Sequence, residues 1–138
     1  TEGGLNLKKN FNQIKKIVKK LNQNKIRTSL FIDPTINNIR LSKRIGTNCV
    51  ELHTGKISRL VKNKKKFKKE FLKIKECSKF GKTNSIEIHA GHGLDYKTTK
   101  ILSKINEITE YNIGHFIIGE SIKIGISKVI RKFKKIIK

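Results

Sequence analysis

At 138 residues the chain is sized for a single domain, and no apolar run in it reaches the length of a membrane-spanning helix. A formal charge of +23 ordinarily marks a polyanion partner, but the excess is almost all lysine, with Arg27, Arg40, Arg44, Arg59 and Arg131 as the arginines. Bidentate phosphate and base contacts favour arginine, and lysine, asparagine and isoleucine are abundant together, as A/T-rich codons produce; the charge is therefore read as background on solvent-facing positions. Cys49 and Cys77 stand far from any His/Cys cluster of metal spacing, so no metal site is expected, and two free thiols in a reducing, cytoplasmic setting are.

Thr1-Glu2-Gly3-Gly4-Leu5, without an initiator methionine, reads as a chain that begins inside something larger. Leu7, Phe11, Ile14, Val18 and Leu21 then recur on one face of a helix ending near Asn22–Asn24. Ile26 to Asp33 is a compact β-favouring run. Asp33-Pro34 reads as an N-cap followed by proline at the first position of a helix that runs to about Ile45 and is closed by Gly46. Cys49–His53 is the next strand. Thr54-Gly55 ends it, and a longer loop leads to a lysine-rich helix whose Phe67, Phe71, Ile74 and Cys77 share one face, with Gly81 as its left-handed cap. The Lys62–Lys69 run is the best stretch for a polyanion patch, yet that spacing leaves its lysines on a solvated helix face.

Ile86–His89 is the third strand, followed by a helix capped by Asp95 and carrying Tyr96, Leu102 and Ile105. Ile108–Ile113 is the fourth strand. Ile117, Ile118 and Ile122 describe a short helix broken by Gly125, and Ile126, Val129, Ile130, Phe133 and Ile137 a terminal amphipathic one. This alternation, with strands that are short, apolar and spaced for parallel crossovers, is α/β; residues 1–138 form one domain without a linker. A doubly wound open sheet and part of an eight-stranded barrel both fit, and in either one function collects at the carboxyl ends of the strands.

Those ends are Asp33, Glu51-Leu52-His53-Thr54-Gly55, His89-Ala90-Gly91-His92-Gly93 and Asn112-Ile113-Gly114-His115. Glycines beside His92 and His115 admit close backbone approach, and a helix N-terminus just beyond each offers unpaired N–H groups, so phosphate is the natural guest. A histidine that titrates near neutral pH can give or take a proton, and a carboxylate on a neighbouring strand can stabilise a developing cation; Glu51 and His92 suit that pairing. The competing reading of Glu51 is an ion pair to a lysine, and of His92 a loop histidine bonded to backbone. His53 and His89 are read as satisfied strand-end histidines, Asp33 as a cap, and Ser121 has no partner pattern that would make it a nucleophile.

Taken together, Thr1-Glu2-Gly3-Gly4-Leu5, Ser29-Leu30-Phe31-Ile32-Asp33, Glu51-Leu52-His53-Thr54-Gly55, Ala90-Gly91-His92-Gly93-Leu94 and Asn112-Ile113-Gly114-His115 resemble the pyridoxine 5'-phosphate synthase family of vitamin B6 biosynthesis. The resemblance extends over essentially all of the chain. It implies a (β/α)8 barrel of which about the last four strands and their helices are present, a half-barrel, and an enzyme that works as a homo-oligomer without metal or organic cofactor. It also implies a condensation of 1-deoxy-D-xylulose 5-phosphate with 3-amino-2-oxopropyl phosphate to pyridoxine 5'-phosphate, phosphate and water. Carried over by position, His92 is the proton donor, Glu51 stabilises the transition state, and Gly93, Gly114 and His115 hold the aminoketone phosphate. Thr1 lies at or next to a threonine that meets deoxyxylulose phosphate, and His89 stands where the family more often has asparagine.

The family's amino-terminal segments, which supply an Asn-x-Asp-His group, the proton acceptors and a phosphate-binding arginine, have no counterpart here. From half a barrel one expects two unpaired sheet edges, an exposed apolar interior and no turnover by the chain alone. Two rival readings are an inactive remnant and a basic nucleic-acid-binding protein. The latter calls for arginine-rich or aromatic contact surfaces, whereas the phenylalanines fall on helix core faces, so any nucleic-acid binding is expected to be nonspecific.

Overall fold

A computed structural model describes residues 3–137. In chain order the elements are α1 (Phe11–Gln23), β1 (Ser29–Ile32), α2 (Ile36–Ile45), β2 (Cys49–His53), α3 (Gly55–Lys62), α4 (Lys68–Thr83), β3 (Glu87–Gly91), α5 (Tyr96–Leu102), β4 (Ile108–Asn112), α6 (His115–Ile124) and α7 (Ile126–Ile137). The strands make one parallel sheet in the order β1-β2-β3-β4. A doubly wound sheet reverses its strand order at a switch point, whereas here every strand pairs with its sequence neighbour, as in a segment of a (β/α) barrel. No described helix is long and apolar enough to cross a membrane.

Alternation along the strands gives the sheet two unlike faces. Leu30, Ile32, Val50, Leu52, Ile88 and Ala90 point one way and are buried with Ile39, Ile57, Ile74 and Leu102 from the helices. Phe31, Glu51, His53, His89 and Gly91 share the opposite face through the pairings Phe31 to Glu51, Glu51 to His89 and His53 to Gly91. The expected apolar interior is therefore corrected: apart from Phe31 this face carries mostly polar groups, tied to one another across strands. His89 is 3% exposed, with Nε2 3.0 Å from Glu87 Oε1 and Nδ1 3.5 Å from Glu110 Oε1. Arg27 pairs with the second oxygen of Glu87.

A bulge between β3 and β4 sets the last register. Ile88 pairs with Ile108, but His89 pairs with Glu110 and Gly91 with Asn112, so Thr109 is the extra residue. Without it Thr109 and Tyr111 would occupy the polar face; with it Glu110 and Asn112 do. β1 and β4 each have one strand partner, and the Leu5 N–H donates to the Phe31 carbonyl at 2.8 Å along the free side of β1.

Four local expectations are corrected. Asp33 does not cap α2: Thr35 does, its hydroxyl accepting from the Asn38 N–H at 3.2 Å, and Pro34 precedes the cap. The segment after Thr54-Gly55 is the helix α3 rather than a loop. Its end and the following turn take up Lys62 to Lys66, so the lysine run straddles two helices instead of lying along one. Gly81 lies inside α4, which ends at an Asn84 cap; a Cβ on Gly81 would overlap Ile88 Cδ1, so the glycine serves close helix-to-sheet packing. Gly46 and Asp95 cap as expected, the former at φ 91° and the latter by accepting from the Thr98 N–H at 2.7 Å. Cys49 and Cys77 are free and buried.

Candidate active site

The carboxyl ends of β2, β3 and β4 open into a cavity of about 820 Å³ lined by His53, Gly55, Ser58, Arg59, His92, Gly93, Gly114 and His115, among others. It is built from the loops that follow the strands, where each chain leaves the sheet and enters a helix.

Glu51 is part-buried on β2 and reaches sideways across β3. Its Oε2 accepts from Asn112 Nδ2 on β4 at 2.7 Å, and its Oε1 fills the space that a side chain on Gly91 would need. Gly91 is thus glycine because the carboxylate lies over it. Among the described residues Glu51 makes no ion pair with a lysine, and its hydrogen bond goes to Asn112 rather than to His92. The carboxylate is held by one neutral donor and has no direct cationic partner among the described residues.

His92 follows Gly91 with φ 76°, and Gly93 has φ 75°. Two successive left-handed residues turn the chain sharply, and a histidine in that region carries a conformational cost of about 1 kcal/mol or more that the surroundings must offset. Thr54 does so: its N–H donates to the Gly91 carbonyl at 2.8 Å, and its hydroxyl lies 2.7 Å from that oxygen and 2.8 Å from the His92 carbonyl. The turn leaves the His92 side chain exposed at the cavity mouth, edge-on to His53 with ring centroids 4.8 Å apart. Gly55 makes room for both rings, because a Cβ there would sit 2.7 Å from His53 Nε2 and 2.8 Å from His92 Cδ2.

His53 is more than a satisfied strand-end histidine. Its Nδ1 lies 3.0 Å from Asp33 Oδ1, an acceptor oxygen that suits an N–H on Nδ1, while Nε2 is buried without a hydrogen-bond partner among the described residues. Sequence reasoning set aside both Asp33 and His53. Their pairing joins the ends of β1 and β2, and residues 20 apart in sequence show no local sign of it. His89, by contrast, is satisfied as expected and points at Glu87 and Glu110, away from the cavity lining.

On the far wall, Gly114 is the N-cap of α6 and contributes no side-chain cap, so the first-turn N–H groups of that helix are free of one. His115 opens the helix and is exposed. Phe116 beside it packs edge-on against Tyr96 at 4.9 Å and Phe133 at 5.9 Å, which anchors α6 to α5 and α7. Burial raises the Tyr96 hydroxyl above its ordinary range. The structure thus brings His92, Gly93, Gly114 and His115 to one cavity, while Glu51 lies outside its lining, with its carboxylate over Gly91 and bonded to the lining residue Asn112; Thr1 lies outside the described residues.

The family model described as pyridoxal phosphate biosynthesis protein PdxJ matches residues 1–138. The chain is 62% identical over 136 residues to the pyridoxine 5'-phosphate synthase of Pelagibacter ubique, covering 99% of this chain and 57% of that protein. It is 37% identical to the one from Sulfurihydrogenibium, covering 99% of this chain and 56% of the relative. With the one from Zymomonas mobilis it is 40% identical, covering 97% and 52%. The chain therefore spans little more than half the length of these relatives. With its match to the family model running from the first residue to the last, this chain belongs to the PdxJ family of pyridoxal phosphate biosynthesis proteins.

Proposed function

We propose that this chain carries the acid and one phosphate-holding side of a pyridoxine 5'-phosphate synthase site, within the carboxyl-terminal half of a (β/α)8 barrel that forms a single domain. The reaction is the condensation of 1-deoxy-D-xylulose 5-phosphate with 3-amino-2-oxopropyl phosphate to pyridoxine 5'-phosphate, phosphate and water. His92 gives the proton, Glu51 stabilises the positive charge that develops as the amine condenses, and Gly93, Gly114 and His115 hold the phosphate of the aminoketone. Thr1 lies at or next to the position that meets the deoxyxylulose phosphate, the working form is a homo-oligomer in the cytoplasm, and no cofactor takes part.

The observation that carries this reading is the convergence of His92, Gly93, Gly114 and His115, from two different strand ends, on one cavity. Glu51 supports it by its chemistry. A part-buried carboxylate held by a single amide stabilises a nearby cation more strongly than one already paired with lysine.

The reading implies that the bases and the second phosphate site come from segments outside this sequence. The purified chain alone is expected to form no pyridoxine 5'-phosphate. Mixed with the amino-terminal 100 or so residues of a relative such as the Pelagibacter ubique protein, it is expected to regain turnover, and H92N and E51Q each to lower kcat by about 10²–10⁴-fold. Turnover by the chain alone, or mixed-chain turnover indifferent to H92N, would overturn it.

A further inference from the structure

Of the cavity-lining residues, Gly55, Ser58, Arg59 and Lys62 all come from α3, the helix that sequence reasoning took for a loop. Their spacing, i, i+3, i+4, i+7, is that of a single helix stripe, so one face of α3 is turned toward the cavity along its whole length. The remainder of the helix shows why. Ile57 is fully buried in the core, and Lys56 reaches the buried Glu70 of α4 at 3.0 Å, which fixes the roll of α3 about its axis.

The polar stripe carries one buried group left unsatisfied. Ser58 is 7% exposed, its hydroxyl is buried without a hydrogen-bond partner among the described residues, and it lies 3.4 Å from where a Cβ of Gly93 would be. A buried hydroxyl with no partner costs about 1–3 kcal/mol unless a ligand completes it. One and four residues on stand two cations that are exposed and have no carboxylate partner among the described residues, Arg59 and Lys62. Arg27 pairs with Glu87, and Arg40 and Arg44 lie over phenylalanine rings, so Arg59 differs from them in facing a cavity rather than a partner.

We infer that α3 supplies the side-chain half of the phosphate cradle: Ser58 donates to a phosphate-monoester oxygen next to Gly93, Arg59 takes the same group in its two-pronged fork, and Lys62 adds charge at the rim. The opposite half is the backbone of Gly93 and Gly114 with His115. This assignment deepens the proposed function and rests on its phosphate pocket. It selects a pair out of a surface rich in lysine, on position instead of charge. Backbone N–H groups are neutral donors, whereas a guanidinium adds charge-assisted bonds of about twice the strength and matches the planar spacing of two phosphate oxygens.

The experiment is a titration of the 138-residue chain with inorganic phosphate at constant ionic strength, followed by amide shifts of Gly93 and Gly114, in native protein, S58A, R59Q/K62Q and the control K16Q/K19Q on the exposed face of α1. The control removes the same charge far from the cavity lining. Saturable binding weakened about tenfold by R59Q/K62Q, a smaller loss in S58A and less than about a twofold change in the control is the expected result. Equal weakening by both double variants would show diffuse charge attraction and overturn the assignment. Saturable binding at Gly93 and Gly114 that is unchanged by R59Q/K62Q would overturn the role of α3 and leave the backbone pocket standing. No saturable shift at either glycine in native protein would overturn both the cradle and the phosphate pocket beneath it. Unchanged amide spectra away from the site check that each variant is folded.

Discussion

At the scale of single residues, the site depends on groups that are absent as much as on those present. Gly91 has no side chain because the Glu51 carboxylate lies where its Cβ would be, on the way to Asn112. G91A is expected to displace that carboxylate, break the 2.7 Å bond and destabilise the chain by about 1–3 kcal/mol. A fall in the urea midpoint together with a moved Asn112 side-chain amide resonance checks this; an unmoved resonance would mean that Glu51 is held some other way. Glu87 offers a second, electrostatic test. Hydrogen bonds from His89 and then Arg27 hold its carboxyl down at about 2. The native state thus keeps Glu87 ionised where the unfolded chain takes up a proton, so its contribution is complete above the ordinary carboxylate range and lost as pH falls toward 2. Because the group is 41% exposed the effect is screened and small. The stability difference between native protein and E87Q, measured in urea from pH 6 to pH 2, is expected to shrink as the solution is acidified; a constant difference would refute the pairing.

Among elements, the contact of α4 with β3 shows how packing overrides a local signal. Glycine near the end of a lysine-rich helix is ordinarily a cap, but Gly81 continues the helix and lets it press on Ile88. G81A would drive a methyl into Ile88 Cδ1, an atom that cannot swing away because Ile88 is 1% exposed. The expected cost is about 1–3 kcal/mol. I88V removes the colliding atom, so the double variant G81A/I88V is expected to be more stable than the sum of the two single losses predicts, by a thermal or urea cycle. Simple additivity would show that the collision is relieved elsewhere. The same reasoning explains α3: a helix of 8 residues with one apolar stripe and one polar stripe carries too short a periodic signal to be told from a loop.

For the molecule as a whole, the question is what lies against its uncovered surfaces. α6 has no buried residue, and Ile118, Ile122 and Ile126 are 62%, 85% and 55% exposed on consecutive turns of α6 and α7. Large apolar side chains grouped in this way favour association. The chain is expected to self-associate at micromolar concentration and I118K/I122K to sediment as a monomer with unchanged circular dichroism. A monomeric native chain would remove this surface as the oligomer contact. Packing of α1 to α5 on the sheet is far more complete, and it is there that the stability of the chain resides.

How much of this was legible beforehand follows from the range of the forces involved. Composition and apolar periodicity are local, and by themselves they determined the α/β alternation, all four strands and the Gly46 and Asp95 caps, while the family entered through the resemblance of the strand-end motifs. That resemblance in turn proposed His92, Gly93, Gly114, His115 and Glu51 as candidate site residues, and the first four line one cavity. What only the tertiary structure decided are contacts between strand ends and the exact register that allows them. The bulge at Thr109 carries Asn112 to the face where it can reach Glu51, 61 residues earlier, and nothing local in Ile-Thr-Glu-Tyr-Asn announces it. Asp33 looked like a cap because Asp-Pro before a helix usually is one, yet Thr35 took that role and left the carboxylate to His53. The polar inner face, and the selection of Arg59 and Lys62 from a surface dense in cations, likewise depend on which way each element is turned about its axis. Charge and hydropathy state what a side chain prefers; only packing fixes where it points.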